Sequence, residues 1–246
     1  MSYVGVDRFA TRSSFAAFDP RVKIVCTAML VVVMAFLTRV GPILIACAFV
    51  LLLAAMSGIP ARHLLQNYLL ALVFIAFASI ATLLVSGYAA SVVMFLRAST
   101  SVLALLVLVT TTPFFMMLEA LDSMHMPRLL SSLIMFTYRF IFVLLEEAQV
   151  MRQARLARGF SGGRHLLDRN AFRTLSASVG MVFVRAQAKA TNIYDALLSR
   201  GFTGEVHMAW KPRSRPRDVA FAAAFAGVAV LSIFVQMGVV RWTLTF

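Results

Sequence analysis

The chain has 246 residues, of which 61% are hydrophobic and 13% charged, with a mean hydropathy of +0.88. A soluble globule carries about a quarter of its residues charged, so that class is excluded and a membrane protein implied. Lys and Arg number 23 against 10 acids, a net charge of +13, and 13 of the basic residues fall within 146–218 together with 6 of the acids; function is to be sought in that polar segment.

Residues 1–21 are polar or mixed and carry Asp7, Arg8, Arg12, Asp19 and Arg21. This is not the pattern of a secretory signal, so the first span is expected to be retained. A bilayer core needs roughly 20 apolar residues as helix, because irregular backbone facing lipid would leave its N–H and C=O groups unpaired. Residues 22–38 form the first predicted span, with Lys23 placed to snorkel at its start. Residues 43–56 form a second, short but uncharged, and Gly41-Pro42 is read as the tight turn between them. No charge occurs from Leu64 to Leu96, too long a run for one crossing, and Ser86-Gly87-Tyr88 is the expected break. The third span is therefore 64–85, and the fourth begins between Ala89 and Ala98 and ends at Thr110-Thr111-Thr112 before Pro113. Cys26 and Cys47 lie in apolar runs without metal or disulfide spacing and read as packing thiols. Residues 219–240 make the last uncharged span.

The run 129–145 is apolar but interrupted by Tyr138 and Arg139. Arg8, Arg12 and Arg21 in the N-terminal tail, and Arg62 and His63 in the 60–67 loop, place those segments in the cytoplasm by the positive-inside rule. Four spans return the chain to the cytoplasm at Pro113, and a crossing at 129–145 would put the basic segment outside. That run is expected to lie at the interface or against the bundle, with Arg139 on its wet or protein-facing side. The C-terminus, with Arg241 and Trp242, is then outside. The expected architecture is an all-α membrane protein of about five transmembrane helices, with long cytoplasmic or interfacial helices between spans four and five. Its divisions are 1–112, the polar segment 113–218 and 219–246.

Within the polar segment, 114–122 reads as a short helix and Pro127 opens a longer one that runs to Arg158 with a mixed apolar and cationic face. A Gly-rich charged linker occupies 161–169, and a second long helix covers about 171–200. Lys211-Pro212-Arg213-Ser214-Arg215-Pro216-Arg217 leads into the last span. Residues 154–163 read ARLARGFSGG and residues 196–205 read ALLSRGFTGE, identical at 6 of 10 positions. Each copy sets an Arg at a helix end followed by Gly where a left-handed residue stops the helix. Cationic last turns and Gly caps also occur for the sake of the helix dipole and the terminal carbonyls alone. A matched pair in the one large polar segment points further, to two equivalent partner pockets. An arginine fork can bond a carboxylate bidentately, and a glycine lets a partner surface come close.

These features resemble the transmembrane T component of energy-coupling factor transporters, with Ala157-Arg158-Gly159 and Ser199-Arg200-Gly201 matching that family's paired Ala-Arg-Gly motifs; the second copy has Ser where Ala is usual. Asp19-Pro20-Arg21-Val22-Lys23, Ser57-Gly58-Ile59-Pro60, Thr111-Thr112-Pro113-Phe114, and Tyr138-Arg139-Phe140 leading to Glu146-Glu147 are similar to its cobalt and nickel (CbiQ-like) branch. The likeness covers about 18–201. It implies a non-catalytic scaffold and coupling subunit whose helix ends, Ala157, Arg158, Gly159, Ser199, Arg200 and Gly201, dock two cytoplasmic ATPase subunits. It also implies a membrane substrate-binding (S) subunit as partner, with a small accessory membrane subunit as an optional further one. No cofactor is expected in this chain: ATP and Mg would sit in the ATPases and the metal ion in the substrate-binding subunit. The location implied is the bacterial inner membrane, and no nucleic acid is expected.

Other residues weigh less. Arg97, at or inside the fourth span, is a functional candidate as an intramembrane charge, or it snorkels to the outer surface beside Tyr88. Arg139 reads as a packing residue near Glu146 and Glu147. His63, His125, His165 and His207 are scattered without metal-ligand spacing, the methionines suit adaptable packing, and Glu119 and Asp122 lack paired-carboxylate geometry. With no phosphate-binding loop, nucleophile elbow or HExxH, catalysis is not expected here. The competing readings are the T component of a vitamin importer such as one for biotin, a membrane enzyme acting on lipid or isoprenoid phosphate, and a channel or receptor whose arginines bind anionic lipid.

Overall fold

The computed structural model describes residues 18–58, 60–124, 126–159, 169–202, 204 and 216–237. Within them lie eight α-helices and no strand: α1 (Pro20–Phe36), α2 (Val40–Met56), α3 (Ala61–Ser86), α4 (Tyr88–Thr111), α5 (Phe114–Ser123), α6 (Arg128–Ala157), α7 (Arg169–Ser199) and α8 (Pro216–Gln236). The linker 161–168, the basic lead 211–215 and His125, His165 and His207 lie outside the described residues.

The helix ends follow from local chemistry. Asp19 caps α1, its carboxylate accepting the Arg21 N–H at 3.0 Å, and Pro20 takes the first helical position, where no N–H is needed. The turn to α2 is made by Leu37, Thr38 and Arg39. Gly41 and Pro42 are not that turn but lie in the first turn of α2, where Pro is tolerated because the first N–H groups have no intrahelical partner. Gly87, at φ 85° and ψ 176°, separates α3 from α4 by itself. Thr112 is extended ahead of Pro113, as sterics before proline require.

The chain forms two compact units. The first, Met1–Met124 with Ala209–Phe246, holds α1 to α5 and α8; the second, His125–Met208, holds α6 and α7. In the first, Cys26, Leu30, Met34 and Leu37 line one face of α1 and meet Ile43, Ala46 and Val50 of α2, Leu103 and Ala104 of α4 and Phe225 of α8. Their three- and four-residue spacings are those of a single helical stripe. Phe225 bridges Phe221 at 4.8 Å and Phe49 at 5.0 Å between ring centroids. At the other end of α8, the Gln236 amide oxygen accepts the N–H groups of Thr38 and Arg39 at 3.4 and 3.3 Å, and its amide N–H donates to Thr38 Oγ1 at 2.6 Å. This one side chain closes the α1–α2 turn.

Helix α3 packs chiefly on α4 and leaves Leu69, Leu70, Phe74 and Phe77 exposed. Their shared seam is polar: Tyr68 bonds Ser99, Ser79 and Ser91 share a hydroxyl contact of 2.8 Å, and Thr82 Oγ1 donates to Met94 Sδ at 2.7 Å. Apolar burial drives little association in lipid, so such bonds and close packing hold the pair.

By length and composition, Leu64–Ser86, Tyr88–Thr111, Leu129–Ala157 and Pro216–Gln236 can cross a membrane, and Val40–Met56 is a shorter apolar helix. The chain is an all-α, multi-pass membrane protein. The apolar run 129–145 lies in one helix that continues to Ala157, as the expected helix from Pro127 to Arg158 has it, and length and composition alone would admit Leu129–Ala157 as a span. Its assignment to the interface rests on charge placement.

Candidate functional site

In the second unit, α6 opens on Pro127, whose carbonyl accepts the N–H groups of Leu130 and Ser131 at 2.9 and 3.2 Å. Thirty residues of uninterrupted helix follow, about 45 Å at 1.5 Å per residue. At its end the Gly159 N–H bonds the Leu156 carbonyl at 3.0 Å, and Gly159 sits at φ 81°. The end of α7 repeats this: the Gly201 N–H bonds the Leu198 carbonyl at 3.0 Å, the Phe202 N–H bonds the Leu197 carbonyl at 3.0 Å, and Gly201 has φ 74°. Those two bonds define the Schellman stop at α7. At α6 the first of them is present, and Phe160, the counterpart of Phe202, lies outside the described residues.

Arg158 and Arg200 occupy equivalent places, each one residue past the last helical residue, and Ala157, Arg158, Gly159, Ser199, Arg200 and Gly201 are all exposed. A Cβ added to Gly159 or Gly201 would meet nothing within 4 Å. Within this chain the glycines are needed for their backbone conformation alone, and any need for clearance can come only from something docked there.

Two contacts fix how α6 and α7 cross. Glu147 of α6 is ion-paired with Arg185 of α7, and Phe202 returns to α6 to stand edge-on to Phe136 at 6.0 Å, with Phe136 stacked on Phe140. The later residue of one helix meets the earlier residue of the other, so the helices run antiparallel. The second Arg-Gly end therefore lies beside Phe136, and residues 136–158 of α6 separate it from the first by about 33 Å. The Glu147 carboxylate, expected near Arg139 of its own helix, is taken by Arg185 instead; Arg139 is exposed. A cavity of about 420 Å³ beside the crossing is lined by Val143, Leu144, Glu147, Arg185, Ala188, Lys189 and Asn192.

In the first unit Arg97 does not reach for solvent alone: its guanidinium donates to the Ala35 carbonyl at 3.0 Å, satisfying a terminal carbonyl of α1 where a cation also suits the helix dipole. Lys23 departs from expectation more sharply. It does not snorkel but is 3% exposed and donates to the Thr111 carbonyl at 3.5 Å. Asp218, 3% exposed, accepts the Asp19 N–H at 2.9 Å. This cluster was hidden in the sequence, because Asp19 and Asp218 stand 199 residues apart. The available signal is an acid in the first turn of a helix that carries no charge beyond Arg217 and Asp218. In α5, burial pushes the Glu119 carboxyl above its ordinary range. Among the described residues no three His, Cys, Asp or Glu side chains gather as a metal site.

The described residues thus form a helical membrane bundle and a separate unit of two long helices, each ending in an exposed Arg-Gly stop. The family model described as "CbiQ: Cobalt transport protein" matches residues 11–210, and the chain belongs to that family. It is 33% identical over 114 residues to the cobalt transport protein CbiQ of Salmonella typhimurium, covering 46% of this chain and 49% of the relative. It is 30% identical over 131 residues to the cobalt transport protein CbiQ of Rhodobacter capsulatus, covering 53% and 52%. A fused cobalt transport protein CbiMQ of Methanocorpusculum labreanum is 32% identical over 97 residues, covering 39% of this chain and 16% of the relative. The chain thus spans about half the length of the curated CbiQ relatives it matches.

Proposed function

We propose that this chain is the membrane-embedded coupling subunit of an ATP-driven importer of the energy-coupling factor type, serving uptake of cobalt or nickel. The observation that carries the reading is the pair of exposed Arg-Gly stops at opposite ends of two crossed, antiparallel helices. Each offers a guanidinium on a rigid helix end, suited to bidentate bonding of a carboxylate in a groove. Two ATPase subunits, one per end, bring ATP and Mg; a separate membrane subunit, with or without a small accessory one, holds the metal ion as cargo. Closure of the ATPases on ATP displaces the two ends together. Because α6 and α7 are fastened to each other by Glu147–Arg185 and Phe136–Phe202, the displacement passes along them as one body to the substrate-binding subunit. The chain itself performs no catalysis. It lies in the cytoplasmic membrane with its N-terminus and the helix pair on the cytoplasmic side and its C-terminus outside. The cobalt transport names of its relatives support the choice of cargo.

The test is to purify the tagged chain from native membranes with its partners and to compare Arg158→Glu and Arg200→Glu. Removing one partner of a desolvated charge pair costs about 2–5 kcal/mol, roughly 30-fold to several-thousandfold in affinity. Each reversal is expected to deplete the bound ATPase and to abolish metal uptake. Unchanged co-purification and uptake in both variants would refute the docking role, and absence of two ATPase subunits from the native preparation would refute the function.

A further inference from the structure

The buried cluster of Lys23, Asp19 and Asp218 has no part in the docking scheme, yet three charges below 10% exposure in an apolar bundle need a reason. Desolvation makes such groups poor sources of net stability compared with apolar side chains of similar volume. The cluster is nonetheless closely knit. Lys23 Nζ donates to the Thr111 carbonyl at the end of α4, and Asp218 Oδ1, in the first turn of α8, accepts the Asp19 N–H. Asp19 also accepts the Arg21 N–H on its carboxylate and, on its carbonyl, the Lys23 N–H at 3.3 Å.

What the cluster joins is informative. The polypeptide passes between the two units only twice, at Met124/His125 and at Met208/Ala209. The first passage is reached from Thr111 through α5, a ten-residue helix that packs on α1 with Leu118 and Ala120 buried. The second leads into Pro216–Asp218 and α8. Both connections are therefore fastened to the start of α1, the first at Lys23 through the Thr111 carbonyl and the second at the Asp19 N–H through Asp218. The dipole of α8 would favour an acid in its first turn, but that alone would leave the acid in solvent; here it is buried against the start of α1.

We propose that Lys23, Asp19 and Asp218 are positioning residues of transport, a clamp that fixes both chain connections of the α6–α7 unit to the membrane bundle so that its displacement is transmitted and not absorbed. This rests on the coupling function proposed above. The residues bind no cargo and no nucleotide; they set how firmly the moving unit is tied down.

The experiment uses the complete complex, with ATPase and substrate-binding subunits, reconstituted in vesicles. It measures ATPase co-purification, ATP hydrolysis and cobalt taken up per ATP hydrolysed. The variant is the triple Lys23→Met, Asp19→Asn, Asp218→Asn, which removes the charges of the cluster together, so that no buried charge is left without its counterion. The expected result is full ATPase content and sustained hydrolysis with cobalt uptake per ATP lower by about tenfold, inside the range of ordinary coupling between sites. Lys23→Arg, which keeps the cation, is expected to retain most of the coupling. Unchanged uptake per ATP, or hydrolysis and uptake falling in equal proportion, would overturn the clamp. Should the triple variant fail to accumulate, three glycines inserted between residues 208 and 209 slacken one connection with the clamp intact, and undiminished uptake per ATP there would overturn it equally. Loss of the ATPases from the unmutated complex would instead strike the coupling function itself.

Discussion

Gly201 separates two demands that a helix-terminal glycine can meet, conformation and clearance, and substitution there distinguishes them. At φ 74° an alanine is strained by about 1–2 kcal/mol because its Cβ approaches the following carbonyl, whereas asparagine visits this region readily. Neither side chain meets steric resistance within the chain, since an added Cβ finds nothing within 4 Å. Gly201→Ala should lower the population of the native α7 stop and, with it, apparent ATPase affinity, by about 5- to 30-fold if the strain is released entirely by refolding of the end. Gly201→Asn should preserve the stop, yet put bulk where a docked subunit must come close. The expected order of ATPase affinity is therefore wild type above both variants, with Gly201→Asn losing binding while its circular dichroism and thermal midpoint stay at wild-type values. Titration of purified ATPase subunits onto the chain in nanodiscs reads the affinity. Wild-type affinity in Gly201→Asn would refute the clearance argument and leave the glycine a conformational part alone.

Other substitutions test the supports of this end. Phe202→Ala removes the edge-on contact with Phe136, a contact class carrying about 0.5–1.5 kcal/mol beyond burial; hydrogen exchange at 197–202 is expected to rise while the α6 stop at 154–159 stays protected. Arg185→Gln breaks the pair with Glu147, but at side-chain exposures of 52% and 30% the loss of stability is expected to stay below about 1 kcal/mol, measured by detergent-resistant thermal unfolding. Ser91→Ala deletes the shared bonds with Ser79 and is expected to cost about 0.6 kcal/mol, with roughly 1.7 as a ceiling, in the same assay. A larger loss at Ser91 than at Met34→Ala, whose side chain is fully buried in the core, would contradict the assignment of the bundle's centre.

What the residues disclosed was the part governed by local rules. The break at Gly87, the stops at Gly159 and Gly201 and the opening at Pro127 are each set by one residue's backbone preference, and all appear where composition placed them. Gly41-Pro42 differs from expectation because the same pair suits a turn and a helix's first turn equally well, and only the geometry of Leu37 to Arg39 decides. Lys23 departs from its expected place for a different reason. A lysine near a helix start snorkels unless something distant neutralises it, and Asp218 stands far away in sequence. Arg185 and Glu147 likewise pair across two helices, so Glu147 could be assigned only to a neighbour on its own helix. The docking role of Arg158 and Arg200 rests on their duplication, and a partner must be present to test it.

Gly87 joins α3 and α4 with a single residue between them, which bears on how the protein is made. Nothing longer than that residue needs to be carried across the bilayer, and Ser79 and Ser91 satisfy each other in the finished seam. Left alone in hydrocarbon, neither helix could offer its hydroxyls more than its own backbone carbonyls. The two are thus suited to leave the insertion machinery together as one hairpin, with their polar partners already matched before α1 and α2 gather on α4.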